Sequence, residues 1–264
     1  MSNLFNKIQE LEKICENSTK QGCNKKTLSK CDLKELGDGN FGVVKKCLNT
    51  NDKEYAVKMV KNLSTITPEK KVQEKINLVN EAIIMINIGD HDNIVKIMGI
   101  NITPLDYVYD DYDISILLEI CNLGSLKSKL LYLKQINKKF SPNFLHKIIF
   151  EIANGMAYLS KLNIVHNDLA TRNILLHFNG TNITTKISDF GLARELNEND
   201  RNLGYTIDNS IGGAFLWSSP ESVSKNIYSE KSDVWSFGIL LYEIEIDGES
   251  PLYKNSDGSY VKVN

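Results

Sequence analysis

Apolar and polar positions change rhythm along this 264-residue chain. Residues 1 to about 30 are polar and lysine-rich, and Leu4, Ile8 and Leu11 stand at helical spacing. That supports a short amphipathic helix at best, so the segment reads as a flexible lead-in. From "CDLKELGDGNFGVVKKCL" to "KEYAVKMV", short apolar and β-branched runs are broken by Gly and by Asn51-Asp52. That texture predicts antiparallel strands. Thr67-Pro68-Glu69 then offers an N-cap, a proline at the first helical position and an early acid. Val72, Ile76, Val79 and Ile83 follow as the apolar stripe of that helix. Two more strands are predicted at "IVKIMGI" and "ISILLEI", flanking the acidic, tyrosine-rich loop "PLDYVYDDYD".

After Cys121-Asn122-Leu123-Gly124 the rhythm turns helical. Leu126, Leu130 and Leu133 form one stripe, and Ser141-Pro142 opens a second helix with Phe144, Ile148, Ile152 and Leu159. "NILLHF" and "ITTKIS" predict a hairpin joined through Asn179-Gly180. The last clear element is the apolar helix "SDVWSFGILLYEI". The fold class is therefore α+β, with a strand-rich part before a helix-rich part and a boundary near 120–124. That order suggests two lobes with a cleft between them.

Composition narrows the classes. The chain is 42% hydrophobic and 24% charged with net charge −2, ordinary for a soluble globular protein and contrary to nucleic acid as an obligate partner. Cys15, Cys23, Cys31, Cys47 and Cys121 form no C-x-x-C pair. That suggests free thiols, a reducing compartment and a cytoplasmic setting. The start "MSNLFNKIQE" has no basic stretch followed by an apolar core, so no secretory signal is expected. "VWSFGILLYEI" is too short for a bilayer and contains Glu243, which predicts a buried core helix and no membrane segment.

The candidate chemistry lies in four stretches. "GDGNFG", Gly37 to Gly42, continues into strand rather than helix. It fits a hairpin flap whose backbone N–H groups approach phosphates, and equally an ordinary Gly-rich hairpin. "YAVKMV" sets Ala56 and Lys58 on one strand face, where Lys58 could hold phosphates as a point charge. A buried lysine needs a carboxylate. Glu74 and Glu81 on the predicted helix both qualify, and Glu81 is favoured because Met85 lies one turn beyond it on the same face. "HNDLATRN" supplies Asp168 and Asn173, and "KISDFGLAR" supplies Asp189. Asn173 and Asp189 offer hard oxygens suited to Mg²⁺, leaving Asp168 to orient an acceptor hydroxyl and take its proton. Glu221 in "SSPES" and Asp233 in "KSDVWSFG" are expected to be structural, Asp233 by holding the backbone of the Asp168 loop.

Together, in this order, these stretches resemble the eukaryotic protein kinase family from about Leu33 to Val263. The resemblance implies a bilobal fold in residues 31–264: an N-lobe over about 31–118, a hinge at 119–124 and a C-lobe at 125–264. It implies ATP between the lobes, Mg²⁺ and a protein substrate. Leu36, Gly37, Gly39 and Gly42 would cover the nucleotide, and Val44, Ala56 and Leu175 would sandwich adenine. Glu119 and Cys121 would belong to the hinge, with Leu118 guarding the pocket behind adenine. Lys58, Glu81, Asp168 and Arg172 would be the catalytic set, and Asn173 and Asp189 the metal ligands. Met85, Ile97, His166 and Phe190 look like the family's apolar stack.

Within the family, Ala170 followed by Arg172 is similar to tyrosine kinases, as is Trp217, although Ala214 and Leu216 depart from that pattern. A serine/threonine or dual-specificity enzyme is one rival reading, and an ATP-binding pseudokinase scaffold another. Two departures remain. The family normally continues through further helices after "VWSFGILLYEI", so the C-lobe is expected to be incomplete where this sequence stops. Asn167 stands where most of the family has arginine. The resemblance then implies catalysis that depends little on phosphate in the segment from Asp189 to Glu221, whose one tyrosine is Tyr205.

Overall fold

The computed structural model of the chain describes residues 3–16, 28–39, 42–49, 53–61, 67–106, 111–197, 200, 204–206, 215–254 and 260–262. The chain divides into two units, Met1–His91 with Val95–Ile120, and Asp92–Ile94 with Cys121–Asn264.

The first unit is built on β1 (Leu28–Gly39), β2 (Gly42–Asn49), β3 (Glu54–Met59), β4 (Ile97–Asp106) and β5 (Asp111–Leu118). They form one antiparallel sheet in the order β1-β2-β3-β5-β4. Cys47, Tyr55, Val57 and Leu117 pack as a buried cluster on one side. Alternation sends their in-between neighbours to the other face. Helix α2 (Pro68–Ile88) starts as its sequence predicts: Thr67 accepts from the N–H of Lys70 at 3.3 Å, with Pro68 in the first turn. Its buried face includes Ile76, Val79, Ala82 and Met85, but Val72 is 39% exposed. The first turn and a half of α2 lies outside the packed face.

Three expectations are corrected here. The lead-in contains a helix, α1 (Asn3–Glu16), in which Leu4, Ile8 and Leu11 are buried and which packs against α2. A short helix gains most of its stability from an apolar stripe meeting a partner, and α2 supplies that partner. The acidic loop is also shorter than predicted, because β4 runs to Asp106 and β5 begins at Asp111. Tyr and Ile in those strands fit a pleated surface well enough to outweigh the acids, and β4 is an edge strand. The free-thiol expectation fails at Cys47, which is disulfide-bonded. The residue opposite it in the β1–β2 register is Cys31. Cross-strand register, invisible in linear spacing, sets that neighbour. Cys15 and Cys121 are not in disulfides.

The second unit is mainly helical. Helices α3 (Leu126–Gln135) and α4 (Pro142–Lys161) bury Leu126, Leu130, Ile148, Ile152 and Leu159. Ser141 caps α4 by accepting from the N–H of Phe144 at 3.3 Å. Strand β6 (Ile164–Val165) leads into the Asp168 loop, which closes in a short 3-10 turn at Thr171–Asn173. Strands β7 (Ile174–Phe178) and β8 (Ile183–Ile187) form the predicted hairpin. Its turn is fixed by Asn179, whose Oδ1 accepts from the N–H of Thr181 and of Asn182 at 3.1 and 2.9 Å. Strand β9 (Arg194–Glu195) pairs with β6, and β10 (Tyr205–Thr206) pairs with β11 (Ile227–Tyr228). Helix α5 (Pro220–Lys225) precedes β11, and α6 (Glu230–Glu245) follows it. Strands β12 (Leu252–Lys254) and β13 (Tyr260–Lys262) form a last antiparallel pair.

The expected core helix, α6, is buried on one side only. Asp233, Ser236, Leu240, Glu243 and Ile244 are inside, while Val234, Trp235 and Tyr242 are exposed. Among the described residues no helix is long and apolar enough to cross a membrane.

Candidate active site

In the first unit the Gly-rich stretch forms the β1–β2 hairpin. Gly39 faces Gly42 in the ladder, Gly37 faces Val44, and Asn40 and Phe41 lie outside the described residues. Leu36 is 53% exposed. Gly42 is required by space: a Cβ there would sit 2.7 Å from the carbonyl oxygen of Met59 in β3. Val44 pairs with Lys58, and Ala56 pairs with Leu118. Directly opposed residues share a sheet face. Val44, Ala56, Lys58 and Leu118 therefore line one face, opposite the Val57 cluster.

Lys58 Nζ donates to Glu81 Oε1 at 2.7 Å, with the two side chains 7% and 3% exposed. Glu81, not Glu74, is thus the carboxylate at hydrogen-bond distance, as the helical spacing with Met85 favours. Glu74 instead leaves a buried Oε2 without a partner among the described residues. The pair fixes an ammonium at the edge of the Val44–Ala56 face, where it suits an anionic group. Glu119 donates its N–H to Lys96 O at 3.0 Å and accepts from the Lys96 N–H through Oε1 at 2.8 Å.

In the second unit the Asp168 loop is held by its backbone. Buried Asp233 accepts from the N–H of His166 at 2.7 Å and of Asn167 at 2.9 Å. Burial raises the Asp233 carboxyl above the usual aspartate range, and His166 and the two N–H donors work against that. Glu243, fully buried, accepts from the N–H of Thr171 at 2.8 Å and from its hydroxyl at 3.0 Å. Two carboxylates of α6 therefore grip the loop on either side of Asp168. The His166 ring links it to the residue after β8: Nδ1 accepts from the N–H of Asp168 at 3.2 Å, so the ring proton sits on Nε2, 3.0 Å from Ser188 O. The same ring meets Phe190 edge-on, with centroids 5.0 Å apart.

The side chains of Asp168, Arg172 and Asn173 come together. Arg172 Nη2 is ion-paired with Asp168 Oδ1, and its guanidinium lies 4.4 Å from the Trp217 ring centroid. Asn173 Nδ2 donates to Asp168 Oδ2 and to Asp168 O, both at 2.7 Å. Burial raises the Asp168 carboxyl pKa, opposed first by Arg172. With the Asn173 amide hydrogens committed to Asp168, its Oδ1 is the oxygen it offers a cation. Ser188 donates through N–H and hydroxyl to Asn173 O at 2.9 and 2.8 Å, which fixes the residue before Asp189 against the same loop. Asp189 has a left-handed backbone, φ 64°. Among the described residues no three His, Cys, Asp or Glu side chains gather as a metal cluster. The Asn173–Asp189 donor set fits a hard cation that takes its other ligands from phosphate and water.

Leu175 is half-buried in β7. Its neighbour Leu176 donates to Gly124 O at 2.9 Å and accepts from the Leu123 N–H at 3.1 Å, which ties the segment after Cys121 to the hairpin. The structure adds two residues to the sequence reading. Glu243 was used there only as a charge in an apolar run, although a carboxylate inside such a helix must find a buried partner. Asn167 was read only as a missing arginine. Its φ of 65° and its side-chain bonds to Leu192 O and to Tyr205 have no local sequence signal.

In the first unit a buried glutamate holds an ammonium, and in the second an arginine and an asparagine hold a carboxylate on a fixed loop. The family model for protein tyrosine and serine/threonine kinase matches residues 31–263, and the chain belongs to that family. It is 34% identical over 231 residues to Ephrin type-B receptor 1 of Gallus gallus, covering 86% of this chain and 22% of the relative. It is 32% identical over 228 residues to Insulin-like growth factor 1 receptor of Bos taurus, covering 83% and 33%. Ephrin type-B receptor 3 of Xenopus laevis is 33% identical over 230 residues, with 86% and 22% covered. The chain thus spans between about a fifth and a third of the length of these curated relatives.

Proposed function

We propose that this chain transfers the γ-phosphoryl group of ATP to a protein hydroxyl, and that the hydroxyl is a tyrosine's. The observation that carries the reading is the Arg172 guanidinium, ion-paired with Asp168 and stacked on Trp217. Asp168 accepts the hydrogen of the incoming hydroxyl and orients its oxygen toward phosphorus. Both carboxylate oxygens are already bonded, yet each keeps a further lone pair for that hydrogen. As the oxygen–phosphorus bond forms, the bond to the ADP oxygen breaks and the proton passes to Asp168. The Arg172 charge opposes the rise that burial causes in the Asp168 pKa. Trp217 fixes Arg172 and offers the flat apolar surface a phenol ring suits. Lys58, aimed by Glu81, supplies positive charge to phosphate oxygens. Asn173 and Asp189 would hold Mg²⁺, which neutralises phosphate charge when bound. The Gly37–Gly42 hairpin, Val44, Ala56, Leu175, Glu119 and Cys121 bind nucleotide in this reading. A cytoplasmic setting, where ATP and protein substrates are both supplied, goes with it.

A Mg-ATP transfer assay on a mixed pool of tyrosine, serine and threonine peptides tests the proposal. Phosphotyrosine is the expected product, abolished in Asp168→Asn. Phosphoserine or phosphothreonine alone would move the enzyme to the other class. ATP binding without transfer would make the chain a scaffold.

A further inference from the structure

Asn167 sits one residue before Asp168, and its side chain reaches Tyr205. Asn167 Nδ2 donates to Leu192 O at 2.9 Å and to the hydroxyl of Tyr205. The carbonyl of Leu192 demands a donor, so the amide is oriented with nitrogen toward both partners, and Oδ1 is left buried without one. Tyr205 therefore accepts, as a neutral phenol. The strand that carries it is fixed independently. Tyr205 pairs with Tyr228 in the β10–β11 ladder, and their rings lie 5.7 Å apart. Gly204, at φ 72°, lies so close to β11 that a Cβ there would come within 2.9 Å of Tyr228 O.

We infer that the Asn167–Tyr205 hydrogen bond is a neutral latch: unmodified Tyr205 holds strand β10 on the Asp168 loop, with no phosphate needed. This rests on the proposed kinase activity and adds how that site is regulated. The surroundings suit a phenol and not a phosphate. Asn167 is uncharged and its amide is already shared with Leu192 O. Burial raises the Tyr205 pKa, and the nearby Asp233 carboxylate adds to that shift. Asp233 would repel a phosphate of charge about −1.5 to −2. Arg194 is the cation whose charge opposes that repulsion, and its Nη1 is bonded to Ala193 O at 2.7 Å. Phosphorylation of Tyr205 therefore requires the latch to open. Tyr205 and Asn167 act as positioning residues, through the loop that carries Asp168.

The test begins with the whole protein treated with a tyrosine phosphatase and verified by mass as unmodified. Its transfer rate is expected to stay within about twofold of the untreated rate. Tyr205→Phe and Asn167→Gly, the latter chosen because glycine accepts φ 65°, should each lower kcat about 5- to 10-fold, the scale of one hydrogen bond. KM for ATP should stay within twofold, and the double variant should be no slower than the worse single. A tenfold fall on phosphatase treatment, a wild-type rate in Tyr205→Phe, or multiplicative losses in the double variant would each overturn the latch. Amide hydrogen exchange provides a reading without catalysis. Residues 204–206 and 166–168 should exchange faster in both single variants, and unchanged exchange overturns the latch. If the wild type transfers no phosphate at all, the kinase proposal alone fails and the exchange result decides the latch.

Discussion

The two units ready their charged groups by different means. In the first, one buried ion pair between a strand and a helix fixes the Lys58 ammonium. In the second, the loop carrying Asp168 is held at its backbone, with N–H groups of His166, Asn167 and Thr171 donating to Asp233 and Glu243 of α6. A point charge needs one counter-charge to aim it. A loop that must aim a carboxylate, a guanidinium and an amide together needs its backbone pinned on both sides of them. Rigidity in the first case is electrostatic, and in the second it comes from satisfied hydrogen bonds on a packed helix.

The largest effect tests the second region at its centre. Asp168→Asn removes the proton acceptor and should lower phosphoryl transfer by roughly 10²–10⁴-fold while ATP binding, read by calorimetry, is retained. A loss of binding in parallel would mean that Asp168 serves nucleotide and not the acceptor hydroxyl. The next tests the first region. Lys58→Met removes the cation bonded to buried Glu81, which costs about 3–5 kcal/mol in denaturant unfolding. Pairing it with Glu81→Leu should restore most of that. An equal loss in the double variant would mean that the pair is not the organising contact.

The ammonium site was largely legible in the sequence because its parts are local. A strand lysine, a helix start at Thr67-Pro68 and one turn of spacing between Glu81 and Met85 suffice to assemble it. The residues of the Asp168 loop were legible as a motif, but not what holds most of it. Glu243 meets Thr171 across 72 residues of chain, and Asn167 meets Tyr205 across 38. No periodicity carries such contacts. Helix α1 was missed for the same reason: its stripe was visible, its partner α2 was not. The Cys31–Cys47 register needed the β1–β2 bulges as well as the strands, because the offset between partners changes along that ladder.

A smaller effect separates the two carboxylates of α6. Glu243→Gln keeps one acceptor and loses the other, so one Thr171 donor is left unpaired at a cost of about 1–3 kcal/mol. Asp233→Asn should cost about as much at His166 and Asn167. Both should slow transfer with little change in KM for ATP. If either leaves both unfolding and rate untouched, the loop is not held in the way the comparison requires.

The smallest effect is a shift in pH dependence. Asp168 must be ionised to accept a proton, and burial has already raised its pKa against the pull of Arg172. The acid limb of kcat/KM should therefore lie above the range of an ordinary aspartate. Arg172→Met removes the opposing charge, so the limb should move further toward high pH. A limb that moves down, or stays, would mean that Arg172 does not tune Asp168.

The most direct measurement of the central claim is transfer of labelled phosphate from Mg-ATP to a peptide whose one hydroxyl side chain is tyrosine. Wild-type protein and Asp168→Asn would be compared at equal ATP occupancy. The account predicts phosphotyrosine from the wild type and at least a hundredfold less from Asp168→Asn. Equal transfer by both, or none by the wild type with ATP bound, would contradict it.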